Sequence, residues 1–332
     1  MIITRTPFRM SFFGGGTDYP VWYTDNNGAV LSTTINKYCY ISCRYLPPFF
    51  DYKYLLRYSR REEVAAVDEI VHPSIRECLR FTGIEKGVEV VHTGDIPARS
   101  GIGSSSAFTI GLLHALYALS GKMVTKRQLA RDAIHVEQDL IKENVGSQDQ
   151  IATAFGGFNK IEFSGANDFY VYPLTIHPDK LVFFQSHLLL FFTGFSRTAS
   201  DIASEQIKQT HRNERELRTM MEMVDEAIGI LNRSSEDLAD FGRLLNESWK
   251  LKKGLNGLIS NSKIDDIYEA AVQSGALGGK LLGAGGGGFM LFFAPPERHQ
   301  KIRTNLKELL YVPFGFEKLG TQVILYSTQD FY

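Results

Sequence analysis

Cysteine is scarce in this chain, and its three copies, Cys39, Cys43 and Cys78, show neither zinc-ligand spacing nor a pairing framework. That excludes a disulfide-stapled secreted scaffold and points to a reducing cytoplasm. An excess of one charge sign is missing too. Lys and Arg number 36 against 37 Asp and Glu, interspersed along the chain, for a net charge of -1. No basic stripe is offered to a nucleic-acid backbone, so nucleic acid is not an expected partner. Long apolar runs are also absent. One of the longest, residues 188–192, is far too short to span a bilayer and reads as a buried strand, so no membrane partner is expected. Arg5 and Arg9 lie in a strand-like N-terminal run without a long apolar core, which predicts no signal peptide. None of the eight histidines pairs at HxxxH spacing, and no repeat or low-complexity tract interrupts the chain.

What is present is an ordinary globular composition, 44% hydrophobic and 22% charged, over 332 residues. That length accommodates two moderate domains or one large unit with two lobes. β-branched and aromatic residues predict strands over 2–4, 29–35 and 38–45, with a loop over 9–20. A short helix is predicted over 74–81, a strand over 88–91 and an apolar helix over 108–119. Thr125, with Gln128 at the capping-box position, starts a helix running to about 142, followed by a loop over 144–150. Strands follow near 158–163 and 169–174, then the buried strand at 188–193. A long charged helix is expected over 200–231. A second helix over 235–253 puts Phe241, Leu244, Leu245, Ser248 and Trp249 on one face. A shorter helix near 264–275, a strand over 289–293, a helix from Pro296 and closing strands over 311–317 and 321–326 complete the pattern. Mixed hairpins and helices argue for α+β rather than a doubly wound parallel sheet.

Glycine is where the chain spends its irregularity. In Ile96-Pro97-Ala98-Arg99-Ser100-Gly101-Ile102-Gly103-Ser104-Ser105-Ser106-Ala107, two glycines open a loop ahead of a helix and three serines fall at its first, unpaired N–H groups. Oriented N–H groups, a helix dipole and hydroxyls make an anion site. The loop is neither a Walker A motif, since no Lys follows the serines, nor a dinucleotide fingerprint, since the third glycine is missing. Two more glycine loops, Gly14-Gly15-Gly16 before Thr17-Asp18-Tyr19 and Gly283 to Gly288, lie far away in sequence. Three such loops suit a triphosphate gripped beside a second substrate. Phosphoryl transfer then needs Mg²⁺ on hard oxygens, which Ser104 or Ser105 and Glu137 can supply, and a group to address the attacking hydroxyl, a role open to Asp149.

The order of these pieces resembles the GHMP kinases. Their Pro-x-x-x-Gly-Leu-Gly-Ser-Ser-Ala motif is similar to Pro97 to Ser106, with Ile102 for Leu and Ser106 for Ala. Their C-terminal glycine motif is similar to Gly283 to Gly288, and their N-terminal sugar-kinase motif to Arg9, Gly14, Thr17, Asp18 and Tyr19. The resemblance spans nearly the whole chain. It implies a two-lobed α+β fold, with a ribosomal-protein-S5-like first lobe (1–180), a ferredoxin-like second lobe (181–332) and the active site between them. It implies ATP at Pro97, Arg99, Gly101, Ile102, Gly103, Ser104, Ser105 and Ser106. Ser105 and Glu137 would hold Mg²⁺, Asp149 would be the catalytic base, and Arg9 would stabilise it and the developing charge. The sugar would lie against Gly14, Gly15, Gly16, Thr17, Asp18 and Tyr19, with Gly285 and Gly286 nearby.

Galactokinases carry Glu-His where this chain has Gly15-Gly16. The glycine pair instead resembles the members that phosphorylate the anomeric oxygen of heptose 7-phosphate, as do Arg57-Tyr58-Ser59, His72-Pro73, residues 193–197, 249–253 and 279–282. The substrate's phosphate would then need cations, for which Arg197, Lys252, Lys253 and Arg99 are candidates. The kinase domain of L-fucokinase shares much of this pattern and is the alternative, and a non-catalytic sugar sensor is a second. The sequence leaves monomer and homodimer both open.

Overall fold

In the computed structural model, which describes residues 1–98, 100–165, 168–194, 199–233 and 237–327, the first strand, β1 (Ile2–Phe13), changes character along its length. Residues 2–5 alternate between buried and half-buried, as a strand with one covered face does. From Thr6 onward every residue is buried. The reason is a second layer. α1 (Pro20–Asn26) leads into β2 (Gly28–Tyr45), which pairs antiparallel with β1 and sets Arg9 opposite Thr34. Then come β3 (Tyr54–Arg57), β4 (Arg61–Val64), α2 (Pro73–Thr82), β5 (Val88–Gly94) and α3 (Ser104–Leu119). α3 is apolar on all sides, buries Phe108, Ile110, Leu112, Leu113 and Leu116, and lies across β1 and β2, where Thr4 Oγ1 donates to the Gly111 carbonyl at 2.8 Å.

α4 (Lys126–His135), α5 (Gln148–Phe155), β6 (Asn159–Ser164) and β7 (Asp168–Pro173) complete this half, and α6 (Pro178–Ser186) crosses to the other. β8 (Leu188–Phe192), α7 (Ala199–Gln209), α8 (Glu214–Asn232), α9 (Ala239–Leu255), α10 (Ser262–Gln273), β9 (Gly278–Leu281), β10 (Phe289–Phe293), α11 (His299–Asn305) and β11 (Leu310–Tyr311) form the second. The last strands, β12 (Phe316–Glu317) and β13 (Gln322–Tyr326), return to the first. Among the described residues, one sheet runs β13-β1-β2-β5-β3-β4, with β6 and β12 also on β2 and β7 on β6. The other runs β11-β8-β10-β9 and is antiparallel throughout. β3 and β5 pair in parallel within an otherwise antiparallel first sheet. No helix among the described residues is long and apolar enough to cross a membrane.

Several elements differ from the sequence expectation. The loop predicted from residue 9 starts at Gly14, because the buried Met10, Phe12 and Phe13 extend β1 under the second layer. Residues 148–155, the first three of them predicted as loop, form α5, so Asp149 sits in a helix's first turn. Gln, Asp and Ser around a helix start read locally as a turn. The helix predicted from 125 to 142 is capped by Thr125, whose Oγ1 accepts from Gln128 N at 3.1 Å. The Gln128 amide turns to Asp132 Oδ1 instead of back to the cap, so only half of a capping box forms. That helix ends at His135 and passes through a π-helical turn, Val136–Leu140, before Lys142 takes φ +63°. The long helix at 200–231 breaks at a 3-10 turn, Thr210–Asn213, where Asn213 Nδ2 donates to the Leu255 carbonyl at 2.9 Å. The closing strands divide between the sheets: β11 pairs with β8, whereas β12 and β13 pair with β2 and β1.

A helix the sequence pattern did not announce, α6, joins the halves. Its Phe184 packs against Phe12, Phe158 and Phe316 of the first sheet's layer at ring distances of 5.6, 5.8 and 6.0 Å. It also meets Phe241 on α9 at 4.8 Å and Phe293 on β10 at 6.0 Å. One fully buried ring therefore fixes the spacing of the two layers that wall the site.

Candidate active site

The buried stretch of β1 delivers Arg9 to the interior, where it is 3% exposed. A guanidinium there needs a partner for each edge of its fork. Nε donates to Asp149 Oδ1 at 2.7 Å, Nη2 to Asp149 Oδ2 at 2.8 Å and Nη1 to the Gly101 carbonyl at 2.7 Å. The Asp149 side chain is 23% exposed, so the pair opens on one side. It lies against Gly103, the N-cap of α3 at φ +72°. A Cβ on Gly103 would stand 3.0 Å from Arg9 Cγ and 3.4 Å from Asp149 Oδ2, so glycine serves both the left-handed backbone and the ion pair's approach.

The first helical bond of α3 runs from Ala107 N to Gly103 O at 2.8 Å, so the N–H groups of Ser104, Ser105 and Ser106 come ahead of it at the helix's N-terminal end. The loop before them is clasped from the other half. A Cβ on Gly101 would lie 2.5 Å from the Leu282 carbonyl oxygen, and one on Gly283 would lie 2.5 Å from Gly101 Cα. Backbone meets backbone, and the C-terminal glycine motif acts here as the clasp. Gly285 and Gly286, expected at the substrate, sit instead against Ile259, whose carbonyl accepts from Gly286 N at 2.9 Å, and neither lines the cleft.

The cleft between the halves holds about 1210 Å³ of empty space including its open mouth. Of the expected residues, Arg9, Gly15, Gly16, Asp18, Tyr19, Gly101, Gly103, Ser104, Ser105, Ser106 and Asp149 line it. Gly14, Thr17, Pro97 and Ile102 do not. Thr17 Oγ1 braces the glycine turn by donating to the Gly14 carbonyl at 2.8 Å, Ile102 O accepts from Arg9 N at 3.1 Å, and Pro97 is exposed. Arg99 and Arg197 lie outside the described residues. Asp18 is buried and receives the Gly16 N–H at 2.9 Å and the Gln148 amide at 3.0 Å; burial pushes its carboxyl above the usual range.

Two further cations face the cleft. Lys252, a candidate from the sequence, is 6% exposed and lines it, whereas Lys253 turns to Asp265 Oδ1 at 2.9 Å. Lys280, on β9, is 3% exposed and also lines the cleft; its run, 279–282, resembles that of the heptose 7-phosphate kinases, but Lys280 is not among the cation candidates from the sequence. Tyr58 and His72, from the stretches resembling the heptose kinases, do not line the cleft. His72 stacks on Phe108 of α3 at 4.9 Å, and Tyr58 meets it edge-on at 4.7 Å.

Glu137 is fully buried on the π-helical turn beneath the serines. Ser106 Oγ donates to its Oε2 at 2.9 Å, the Gln150 amide donates to the same oxygen, and Oε1 has no hydrogen-bond partner. Burial raises the carboxyl to about 7, against the Thr109 and Ser106 hydroxyls and the Gln150 amide that hold it down. Ser105, expected as the metal ligand, is exposed toward the cleft, and Ser106 is the hydroxyl that reaches Glu137. Among the described residues no group of three His, Cys, Asp or Glu could hold a metal unaided. An orphaned carboxylate oxygen beside serine hydroxyls fits a hard cation whose remaining ligands come from phosphate and water.

Two family descriptions match the chain: "GHMP kinases N terminal domain" over residues 69–157 and "GHMP kinases C terminal" over residues 227–312. The D-glycero-alpha-D-manno-heptose 7-phosphate kinase of Campylobacter jejuni is 31% identical, with 97% of this chain and 98% of that protein covered. The L-fucokinase/L-fucose-1-P guanylyltransferase of Bacteroides fragilis is 27% identical over 92% of this chain, which spans 36% of that protein. A D-glycero-D-manno-heptose 1-phosphate kinase structure from Bacteroides thetaiotaomicron shares the fold, with a TM-score of 0.81 at 22% identity, covering 98% of this chain and all of that one.

Proposed function

Because the chain belongs to the GHMP kinases and is an ATP-dependent carbohydrate kinase, we propose that it phosphorylates the anomeric hydroxyl of D-glycero-D-manno-heptose 7-phosphate, yielding the 1,7-bisphosphate. The observation that carries this reading is the Arg9–Asp149 pair pressed against Gly103, at the helix N-terminus that takes the nucleotide phosphates. The 31%-identical relative supports the heptose, and Gly15 leaves open space, with only Gln148 Nε2 at 4.0 Å from where a Cβ would be.

ATP lays its phosphates on the N–H groups and hydroxyls of Ser104 to Ser106. Asp149 orients the anomeric hydroxyl and accepts its proton as the oxygen attacks the γ-phosphorus and ADP leaves. Arg9 holds Asp149 in place and offers positive charge to the transferring group. Asp18, fixed by Gly16 and Gln148, hydrogen-bonds the sugar's other hydroxyls. Ser105 and Glu137, with Ser106 orienting Glu137, would hold Mg²⁺, which neutralises phosphate charge when bound. We place the lobe boundary near residue 180, with β12 and β13 counted in the first lobe. Free, buried Cys39, Cys43 and Cys78 suit the cytoplasm we propose as its compartment.

An ADP-release screen across heptose 7-phosphate, heptose 1-phosphate, unphosphorylated heptose, fucose, galactose, mannose and mevalonate tests the substrate, with phosphorus NMR of the product locating the new ester. The highest kcat/KM on heptose 7-phosphate, with a 1,7-bisphosphate product, is expected. Preference for fucose, or an ester at another oxygen, overturns the reading.

A further inference from the structure

Lys252 and Lys280 are both nearly fully buried and both line the cleft, yet among the described residues neither pairs with a carboxylate. Lys280 Nζ donates to the Phe12 carbonyl at 2.8 Å. Lys252 Nζ donates to the carbonyl of Gly283 and, at 3.4 Å, to that of Leu281. Each ammonium has three donors, so each keeps hydrogen-bonding capacity. The carboxylates that act on them through space are engaged elsewhere: Arg9 takes both oxygens of Asp149, and Gly16 and Gln148 hold Asp18. Glu143 also lines the cleft, but it is not among the groups acting on either lysine.

Two buried cations that repel one another, with a third at Arg9, are an unfavourable arrangement for an empty protein. Burial is the main cause that depresses both ammonium groups; repulsion from Arg9 adds to it at Lys252, and repulsion from Lys252 and then Arg9 adds to it at Lys280. A doubly charged oxyanion resolves this, since it satisfies the remaining donors and neutralises both charges at once. We infer that Lys252 and Lys280 together form a binding site for a phosphate dianion on the second-lobe wall of the cleft. That phosphate has two sources, the substrate's own phosphate ester and the phosphoryl group in transfer. The first source rests on the heptose 7-phosphate reading above; the lysine site itself does not.

The test uses Lys252→Met and Lys280→Met, which keep much of the volume and remove the charge, together with Lys252→Arg and Lys280→Arg, which retain it. Kinetics are measured with phosphorylated and unphosphorylated sugar, and thermal unfolding is followed with and without inorganic phosphate. Each Met variant should lose ~10–100-fold in kcat/KM, with partial recovery by Arg. A loss confined to the phosphorylated sugar and expressed in KM assigns the site to the substrate's phosphate. An equal loss in kcat for both sugars assigns it to the transferring group. In either case the stabilisation of the wild type by inorganic phosphate should shrink in the double Met variant. If no heptose phosphate is a substrate but that stabilisation still shrinks, the lysine site stands and the substrate reading falls. Unchanged kinetics together with unchanged phosphate stabilisation overturn the site.

Discussion

The two walls of the cleft treat buried positive charge in opposite ways. On the first-lobe wall, each nitrogen of Arg9 has a partner and the charge is paired, with two nitrogens on Asp149 and one on the Gly101 carbonyl. On the second-lobe wall, Lys252 and Lys280 hold only backbone carbonyls. The first wall's charge is therefore paired before anything binds, and Asp149, in the role of base proposed for it, would need no reorganisation when the substrate arrives. The second wall carries a standing electrostatic cost that a bound anion relieves. Rigidity on one side and stored affinity on the other divide positioning from binding.

The largest effect should come from breaking the paired wall. Asp149→Asn should lower kcat on the order of 10²–10⁴-fold, the usual range for a positioned general base, while nucleotide affinity changes little. Single-turnover ADP release alongside nucleotide titration checks this, and near-normal turnover would remove Asp149 from the role of base. Next in size is the element that sets the distance between the walls. Phe184→Ala should destabilise the fold by about 3–5 kcal/mol, since it deletes a fully buried ring at the centre of an aromatic cluster drawn from both halves. Chemical denaturation measures it, and a loss below ~1 kcal/mol would mean the lobes do not depend on this contact.

Lys252→Met sharpens the contrast in the other direction. Burial lowers the Lys252 ammonium from 10.5 to about 8. At ~1.4 kcal/mol per pKa unit, keeping it charged costs the ligand-free fold about 3 kcal/mol. Below pH 8 folded and unfolded chains are both protonated and the full cost stands. Between pH 8 and 10.5 the folded chain releases the proton first, so the cost fades as pH rises. The Met variant should accordingly melt higher than the wild type at pH 7, with the gap closing toward pH 10.5, even as its turnover falls. A lower melting temperature at pH 7 would show that Lys252 is structurally satisfied and that the walls are alike.

What the sequence revealed follows from periodicity and from charge out of place. The buried face of α9 was readable because Phe241, Leu244, Leu245, Ser248 and Trp249 repeat at helical spacing, and all five are buried. α6 offered no such face: among residues 178–186 only Phe184 is buried, and Pro178 at its first turn was its one local signal. Asp149 and the serine loop stood out as polar residues near glycines, Arg9 through the resemblance to the sugar-kinase motif, and the structure brings them together. Lys280 was not singled out, since one Lys between two glycines and two leucines carries no local signal. The clasp of Gly283 on Gly101 was beyond local reading, since two glycines meeting backbone to backbone, far apart in sequence, leave no periodic trace. The exchange between Ser105 and Ser106 is a question of rotation about α3, which the residue order alone does not settle.

That rotation underlies the smallest expected effect. Ser106 Oγ holds Glu137 Oε2, leaving Oε1 orphaned, while Ser105 faces the cleft. If the metal sits between Ser105 and the orphaned oxygen, Ser105→Ala and Glu137→Gln each remove a ligand, and Ser106→Ala loosens the carboxylate that Ser106 orients. Loss of such an orienting hydrogen bond typically weakens metal affinity by 10-fold or somewhat more. Each variant should therefore raise the Mg²⁺ concentration for half-maximal activity, Ser106→Ala by roughly tenfold, with kcat at saturating Mg²⁺ reduced less than by Asp149→Asn. Ser104→Ala should act on nucleotide KM instead. A magnesium titration in which Ser106→Ala shifts the midpoint and Ser105→Ala does not would move the ligand role to Ser106, and superimposable curves for Ser105→Ala, Ser106→Ala and Glu137→Gln would take the metal away from this end of α3 altogether.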